Sequence, residues 1–346
     1  MRALVTGLST YWGGRVAQAL EQRPDVEVVV GVDTKDPRTP LERTEFVRTD
    51  SSHSILSRIV RATQVDTIVH THLVVDSTRA TSRTLHEINV IGTMNLLAAA
   101  GAPASPVRKV VLKSSGLVYG ANKADPYCFR EEMQRSGPAN TPVERSLLEV
   151  EAFVRDFADD NPHVDVSLLR FANVLGVDID TPFTAALRRP VVPEILGFDS
   201  RLQFVHEDDV VSALMYAIDN DIPGVYNVGA DGNLPWSEVC AIVGKRRLAL
   251  PFVFTNLAVE PARLLRLWDL PPEAMDLLRF GRTIDNSRYK RAGFRYAYTT
   301  ATTVEAFAQA LRLAGTIGDS RPTYRYEREV EDFFRHSPAV VRPDPA

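Results

Sequence analysis

Up to about residue 170, short runs rich in valine and isoleucine alternate with segments of helical period. The strand-like runs are "RALVTG" (2–7), "VEVVVGVD" (26–33), "EFVRTD" (45–50), "DTIVHTH" (66–72), "RKVVLKSS" (108–115) and "VDVSLLRFANVLG" (164–176). Helical patterns lie between them in "GGRVAQALEQR", "INVIGTMNLLAAA" (88–100) and 142–158. Nearly continuous apolar strands separated by helices predict an α/β fold of the Rossmann type, a doubly wound parallel sheet with helices on both faces. Beyond residue 176 the pattern loosens. "TPFTAALRRPVVPEILG" reads as proline-broken, 202–220 as a strand end entering a helix, 224–232 as a strand and turn, and 256–282 and 302–315 as helical. This predicts a Rossmann domain over 1–175 and 202–230, a smaller C-terminal α/β cap over 176–201 and 231–318, and a fraying tail over 319–346.

Composition excludes several classes. A net charge of −4 gives no electrostatic footprint for nucleic acid. No apolar run approaches the roughly 18 residues of a membrane span. The N-terminus shows no signal-peptide pattern, and Cys128 and Cys240 form neither a metal-ligand spacing nor a redox pair. The expectation is a cytoplasmic chain with no metal site. Only six lysines occur: Lys35, Lys109, Lys113, Lys123, Lys245 and Lys290.

"VTGLSTYWGGRVAQAL" follows the first strand and opens a helix, the context a phosphate-binding turn requires. Gly7 makes the tight turn and Gly13 allows helix and strand to pack closely. A pyrophosphate is then expected over the helix N-terminus, beside Tyr11 and Trp12. Thr10 occupies the middle glycine position, where a Cβ crowds a phosphate and a hydroxyl can donate to one. The second strand ends at Asp33, suited to ribose hydroxyls and repulsive to a 2′-phosphate, which favours NAD over NADP. Asp50 ends the third strand, either to meet the adenine amino group or to cap the helix that follows.

These segments, with "NVIGTMNLL", "KSSGLVYG", "LLRFANVLG", "QFVHEDDV" and "VYNVGADG" in this order, resemble extended short-chain dehydrogenases/reductases. The chain is similar to their nucleotide-sugar epimerase/dehydratase group over roughly residues 2–315. The resemblance implies NAD, a nucleotide-sugar ligand and, as is common in the family, a homodimer. It places Gly7, Thr10 and Gly13 on the phosphate loop and Asp33 on the ribose position. His70, Thr71 and His72 fall beside the nicotinamide half, His70 and His72 reading as supporting hydrogen-bonding residues more than as bases, with Phe171 and Ala172 near it. Asn89 falls on the position supporting the catalytic region, Ser115 on the catalytic serine, and Ser114 and Asn173 on substrate positions.

The family moves a hydroxyl proton with a tyrosine activated by a lysine one helical turn later. Matching that motif to "PVERSL" puts Val143 and Leu147 in those places. Thr141, Pro142 and Glu144 predict a well-capped helix, and Val143, Leu147, Val150 and Val154 form one apolar stripe. The literal Y-x-x-x-K at Tyr119–Lys123 contains Gly120 and reads as a loop. His72, Lys113, Tyr119, Tyr127 and Glu144 are candidate surrogates. Lys113 shares a strand face with Ser115; the alternative is a lysine reaching the sheet's end or pairing with an acid. The family's diphosphate arginine falls on Leu202, with Arg201 on the opposite face of a strand; Arg279 and Arg282 are possible replacements. Two functions remain open: an enzyme that uses Ser115 with a surrogate acid/base, or a non-catalytic NAD-binding sensor, scaffold or regulatory subunit.

Overall fold

The computed structural model describes residues 1–250, 270–314, 337 and 339–341. In chain order it begins β1 (Arg2–Thr6), α1 (Tyr11–Glu21), β2 (Val28–Asp33), β3 (Glu45–Arg48), α2 (His53–Thr63) and β4 (Thr67–His70). Next come α3 (Ser82–Leu85), a π-helical turn (His86–Ile91), α4 (Gly92–Ala100), β5 (Lys109–Ser115), a 3-10 turn (Gly116–Tyr119), α5 (Pro142–Asp160) and β6 (Asp165–Phe171). With β11 (Gly224–Val228), the strands of this half form a seven-stranded sheet in the order β11-β6-β5-β4-β1-β2-β3. Every pairing within it is parallel. Ala3, Leu4, Val5, Ile68, Val69, Val111 and Leu112 have no exposed surface, as strands covered on both faces require. The helices α2, α4 and α5 pack together, whereas α1 packs against α7 (Glu207–Asp219).

Strand order reverses between β1 and β4: the chain leaves β1 for β2 on one side and returns to β4 on the other. Open α/β sheets bind ligands at such a switch point, outside the carboxyl ends of the strands. Gly7, Thr71, Ser115 and Ala172 directly follow or end strands at this edge.

The remaining pairs are small. β7 (Asn173–Leu175) pairs with β10 (Phe204–His206) and β8 (Val191–Ile195) with β13 (Arg246–Leu250), both parallel. β9 (Arg201–Leu202) runs antiparallel to β12 (Leu234–Pro235). The helices α6 (Pro182–Arg188), α8 (Trp236–Val243), α9 (Pro272–Phe280), α10 (Ser287–Arg291) and α11 (Thr300–Ala314) complete the described chain.

Segment 181–197 is ordered where the sequence pattern suggested interruption. Pro182 opens α6 at its first turn, and Thr181 and Thr184 form a reciprocal capping box. A proline there lacks only an N–H that has no intrahelical partner. The helix expected over 88–100 starts six residues earlier and contains the π turn that carries Asn89. Asp50 does not cap α2: Ser52 holds the cap position, while Asp50 is exposed with Oδ1 3.4 Å from the Ser52 amide. Of the tail expected to fray, the described residues dock instead. Ala339 is buried, its carbonyl accepts from Arg2 at 2.6 Å, and the Val341 amide donates to Ala62 at 2.6 Å. Part of the helical stretch expected over 256–282, and most of 319–346, lie outside the described residues.

α5 has the expected form. Thr141 Oγ1 accepts from the Glu144 amide at 3.2 Å, and Glu144 Oε2 accepts from the Thr141 amide at 3.3 Å. Val143, Leu147 and Val150 are fully buried, and Val154 nearly so. Leu147→Ala should therefore lower the unfolding free energy by about 2–5 kcal/mol, and Thr141→Ala by about 1 kcal/mol, in urea denaturation.

Candidate functional site

The turn after β1 is a backbone contact with no room for side chains. Gly7 has φ +79°, and its amide donates to Val32 at 3.1 Å. A Cβ on Gly13 would lie 2.3 Å from the Gly7 carbonyl oxygen. Thr10 caps α1: its hydroxyl donates to the Gly7 carbonyl at 2.7 Å and accepts from the Gly13 amide at 3.2 Å. The hydroxyl thus stabilises the turn from inside. Asp33 is 3% exposed, and three amides hold its carboxylate: Ser9 at 2.8 Å, Thr34 at 2.6 Å and Lys35 at 3.1 Å. The carboxylate is thereby fixed between the first turn and the end of β2.

The end of β4 supports this turn. Thr71 Oγ1 donates to the Thr6 carbonyl at 2.7 Å and lies beneath both glycines, 2.9 Å from where either Cβ would stand. His70 is a supporting hydrogen-bonding residue in the interior. It is 3% exposed, with Nδ1 2.6 Å from Thr6 Oγ1 and Nε2 3.0 Å from Thr93 Oγ1. Both ring nitrogens are engaged, and burial drives its pKa down to about 3, so the imidazole is neutral. His72 is half-buried. Asn89 is also sealed inside. Its amide exchanges bonds with the Val74 backbone at 2.8 and 2.9 Å and donates to Ser146 on α5 at 3.0 Å. It therefore positions the loop after β4 and does so through a side chain with no exposed surface.

Lys113, Ser115, Phe171, Asn173, Phe183 and Glu273 line a narrow cleft of about 80 Å³ at the end of β5. Ser115 caps the 3-10 turn, accepting from the Leu117 amide at 3.2 Å. Ser114 borders the same cleft, yet its side chain does not serve it. The residue is fully buried and its hydroxyl donates to Glu151 at 2.7 Å. This corrects the expectation of a ligand contact, because alternate strand residues face opposite sides of the sheet. Glu151 pairs with Arg170, whose guanidinium also donates to Tyr119 Oη at 2.6 Å; Tyr119 in turn donates to Asn227 at 2.8 Å. Tyr119 is thus engaged in the interior, and the positive φ of Gly120 separates it from Lys123. Asn173 donates to the Gln203 carbonyl at 3.1 Å. Glu144, another surrogate candidate, is buried in the α5 cap and in an ion pair with Arg135.

Lys113 is 7% exposed. Its Nζ lies 5.0 Å from the Trp12 ring centroid and 5.3 Å from that of Phe171, and burial lowers its pKa to about 8. Glu273, which sequence reasoning did not single out, accepts from the Ser77 amide at 2.9 Å and hydroxyl at 3.0 Å. It fastens α9 to the loop after β4. The sequence separation of 196 residues leaves no local signal for this pair.

A second, wider cleft of about 500 Å³ is lined by Lys123, Tyr127, Phe198, Arg201, Arg279 and Arg282 among others. Arg201 is exposed and Leu202 fully buried, so the two point to opposite sides of β9 as expected. Arg282 is 7% exposed and donates to the Gly120 carbonyl at 3.1 Å; burial lowers its guanidinium to about 10. Among the described residues no cluster of His, Cys, Asp and Glu is placed to hold a metal, and no helix is long and apolar enough to cross a membrane.

The family model described as NAD dependent epimerase/dehydratase family matches residues 3–229. The chain belongs to that family. An uncharacterized protein of Mycobacterium tuberculosis is 35% identical over 319 residues, covering 90% of this chain and 84% of that protein. The UDP-glucose 4-epimerase of Erwinia amylovora is 28% identical over 187 residues, covering 51% of this chain and 54% of that protein. MoeE5, solved in complex with UDP-glucuronic acid and NAD, superposes with a TM-score of 0.71 at 20% identity over 91% of this chain and all of its own. The UDP-glucuronic acid 4-epimerase of Bacillus cereus in complex with NAD gives 0.68 at 18% identity over 90% and 96% of the two chains. These likenesses establish the extended short-chain dehydrogenase/reductase fold for this epimerase/dehydratase family member.

The neutral His70 links stability to pH. The unfolded chain binds its proton below about 6.5 and the folded chain only below about 3, so stability is complete above pH 6.5 and falls as pH drops through that range. Between pH 7.5 and 5 the wild type should lose about 1–2 kcal/mol more than His70→Asn in thermal unfolding followed by circular dichroism.

Proposed function

We propose that this chain binds NAD over the Gly7–Gly13 turn and a nucleotide sugar in the clefts beyond the strand ends. The observation that carries the cofactor reading is the Asp33 carboxylate, held by three amides beside a glycine turn that has no space for a Cβ. A fixed carboxylate accepts ribose hydroxyls and opposes a 2′-phosphate, which favours NAD over NADP. In this reading the amides at the start of α1, with Tyr11 and Trp12, border the pyrophosphate, Asp50 borders the adenine, and His72 and Phe171 border the nicotinamide half. When bound, NAD supplies a hydride acceptor.

The wider cleft suits the diphosphate and base of a nucleotide sugar. Arg201 and Arg282 offer guanidinium forks for phosphate oxygens, and Tyr127 and Phe198 offer faces for a base. Solved relatives support this class, since MoeE5 was captured with UDP-glucuronic acid. A homodimer is supported by Ile91, Met94 and Leu148, each 38–39% exposed on the π turn, α4 and α5.

The family's proton relay has no counterpart on α5, where Val143 and Leu147 are fully buried. The same observation favours a second reading, a protein that holds NAD without turnover as a sensor, scaffold or regulatory subunit. Loss of the proton-transfer group from such a site costs about 10²–10⁴ in rate.

Purified protein incubated with UDP- and dTDP-sugars, alongside Ser115→Ala, separates the readings. Turnover in the wild type that Ser115→Ala abolishes supports an enzyme. Bound NAD that no sugar nucleotide reduces supports the second reading. Arg282→Ala should weaken binding of a UDP-sugar by about tenfold or more, roughly the 1.5–3 kcal/mol of a hydrogen bond to a charged group, in isothermal titration calorimetry.

A further inference from the structure

Lys113 is an amine the fold buries without giving it a partner. It makes no hydrogen bond and no ion pair among the described residues; its neighbours are the rings of Trp12 and Phe171. Other buried charges nearby are answered. Glu151 has Arg170 and Ser114, Glu273 has Ser77, and Glu144 has Arg135 and its own helix cap. Burying a cation without a carboxylate is unfavourable, and the ordinary response is a shift toward the neutral amine. Its pKa is accordingly lowered to about 8, with burial the cause.

Position adds to chemistry. Lys113 stands two residues before Ser115, and both line the narrow cleft. Trp12 brings the start of α1, and with it the Gly7–Gly13 turn, to one side of the ammonium. Phe171, the last residue of β6, places its ring centroid 5.3 Å from the same amine. The amine therefore lies beside Trp12 at the turn read as the cofactor site and in the same cleft as the serine read as the ligand contact. Of the other surrogate candidates, Tyr119 and Glu144 are held by buried partners, Tyr127 is 71% exposed in the wider cleft, and His72, half-buried two residues past β4, is not among the residues lining the narrow cleft.

We propose that Lys113 is the proton-transferring group of this site, exchanging a proton with a ligand hydroxyl held at Ser115. This rests on the reading of the chain as an NAD-binding protein for sugar nucleotides. In the forward direction the ligand O–H bond breaks and an N–H bond forms on the neutral amine, giving an ammonium ion. The carbinol carbon loses its hydride to bound NAD, the oxidant, and a C=O bond forms. The reverse direction returns the same proton from the ammonium. A base that works as a neutral amine makes the oxidation rate rise as pH rises through about 8.

The test uses the full chain. Reductive ¹³C-methylation should give one dimethyl-lysine resonance, assigned by its absence in Lys113→Arg, that titrates near pH 8 and shifts on addition of NAD. With UDP-glucose and UDP-glucuronic acid as probes, NAD reduction should fall at least 100-fold in Lys113→Met and Lys113→Gln. NAD affinity, followed by Trp12 fluorescence, should stay within about threefold of the wild type, and the wild-type rate should show the ascending limb near pH 8. Undiminished turnover in both variants, or a resonance titrating above pH 10 and indifferent to NAD, would overturn the proposal. So would a wild type that binds NAD yet never reduces it with either sugar. Failure to bind NAD at all would instead overturn the reading on which the proposal rests.

Discussion

The site depends on one backbone contact, the approach of Gly13 to the Gly7 carbonyl. It sets α1 against the end of β1 so closely that a Cβ at residue 13 would stand 2.3 Å from that oxygen. Thr71 fills the space below, and its hydroxyl ties β4 to β1 through the Thr6 carbonyl. The same turn presents the Ser9 amide to Asp33, so the carboxylate at the end of β2 is fixed by the geometry of β1. Three strands and a helix are thus held in register at the switch point of the sheet, where a parallel α/β fold binds its ligand.

A second layer holds the far side of the site and uses buried polar groups. Asn89 bridges the loop after β4 to Ser146, and the Ser114–Glu151–Arg170–Tyr119–Asn227 chain links β5, α5, β6 and β11. Low dielectric makes such a fully satisfied network rigid, and removing one member leaves the others unpaired. α5 therefore remains in place although Val143 and Leu147 offer packing and no proton chemistry. Among the described residues lining the narrow cleft, Lys113 is the one amine, and it comes from strand β5 instead of the helix.

The central sheet, the turn and α5 were legible because their signals are local: runs of valine and isoleucine, glycines at fixed offsets, and a T-x-x-E box within which the apolar stripe begins. Less legible features depend on tertiary contacts. Pro182 reads as a breaker until Thr181 is seen to cap the helix it opens. The π turn carries Asn89, whose partners Val74 and Ser146 lie 15 and 57 residues away in the chain. Ser114 carries the residue type of a ligand site, and only the burial and partner of its side chain reveal an interior role. Strand parity puts Lys113 on one face with Ser115, whereas its aromatic neighbours come from residues far away in the chain.

The most direct measurement is equilibrium binding of NAD and NADP to the purified full-length chain by isothermal titration calorimetry. A cofactor site built on a fixed Asp33 predicts that NAD binds at least about tenfold, or 1.4 kcal/mol, more tightly than NADP. It also predicts that Asp33→Ala removes that preference. Equal affinity for the two, or no heat from either with a folded protein free of bound nucleotide, would contradict it.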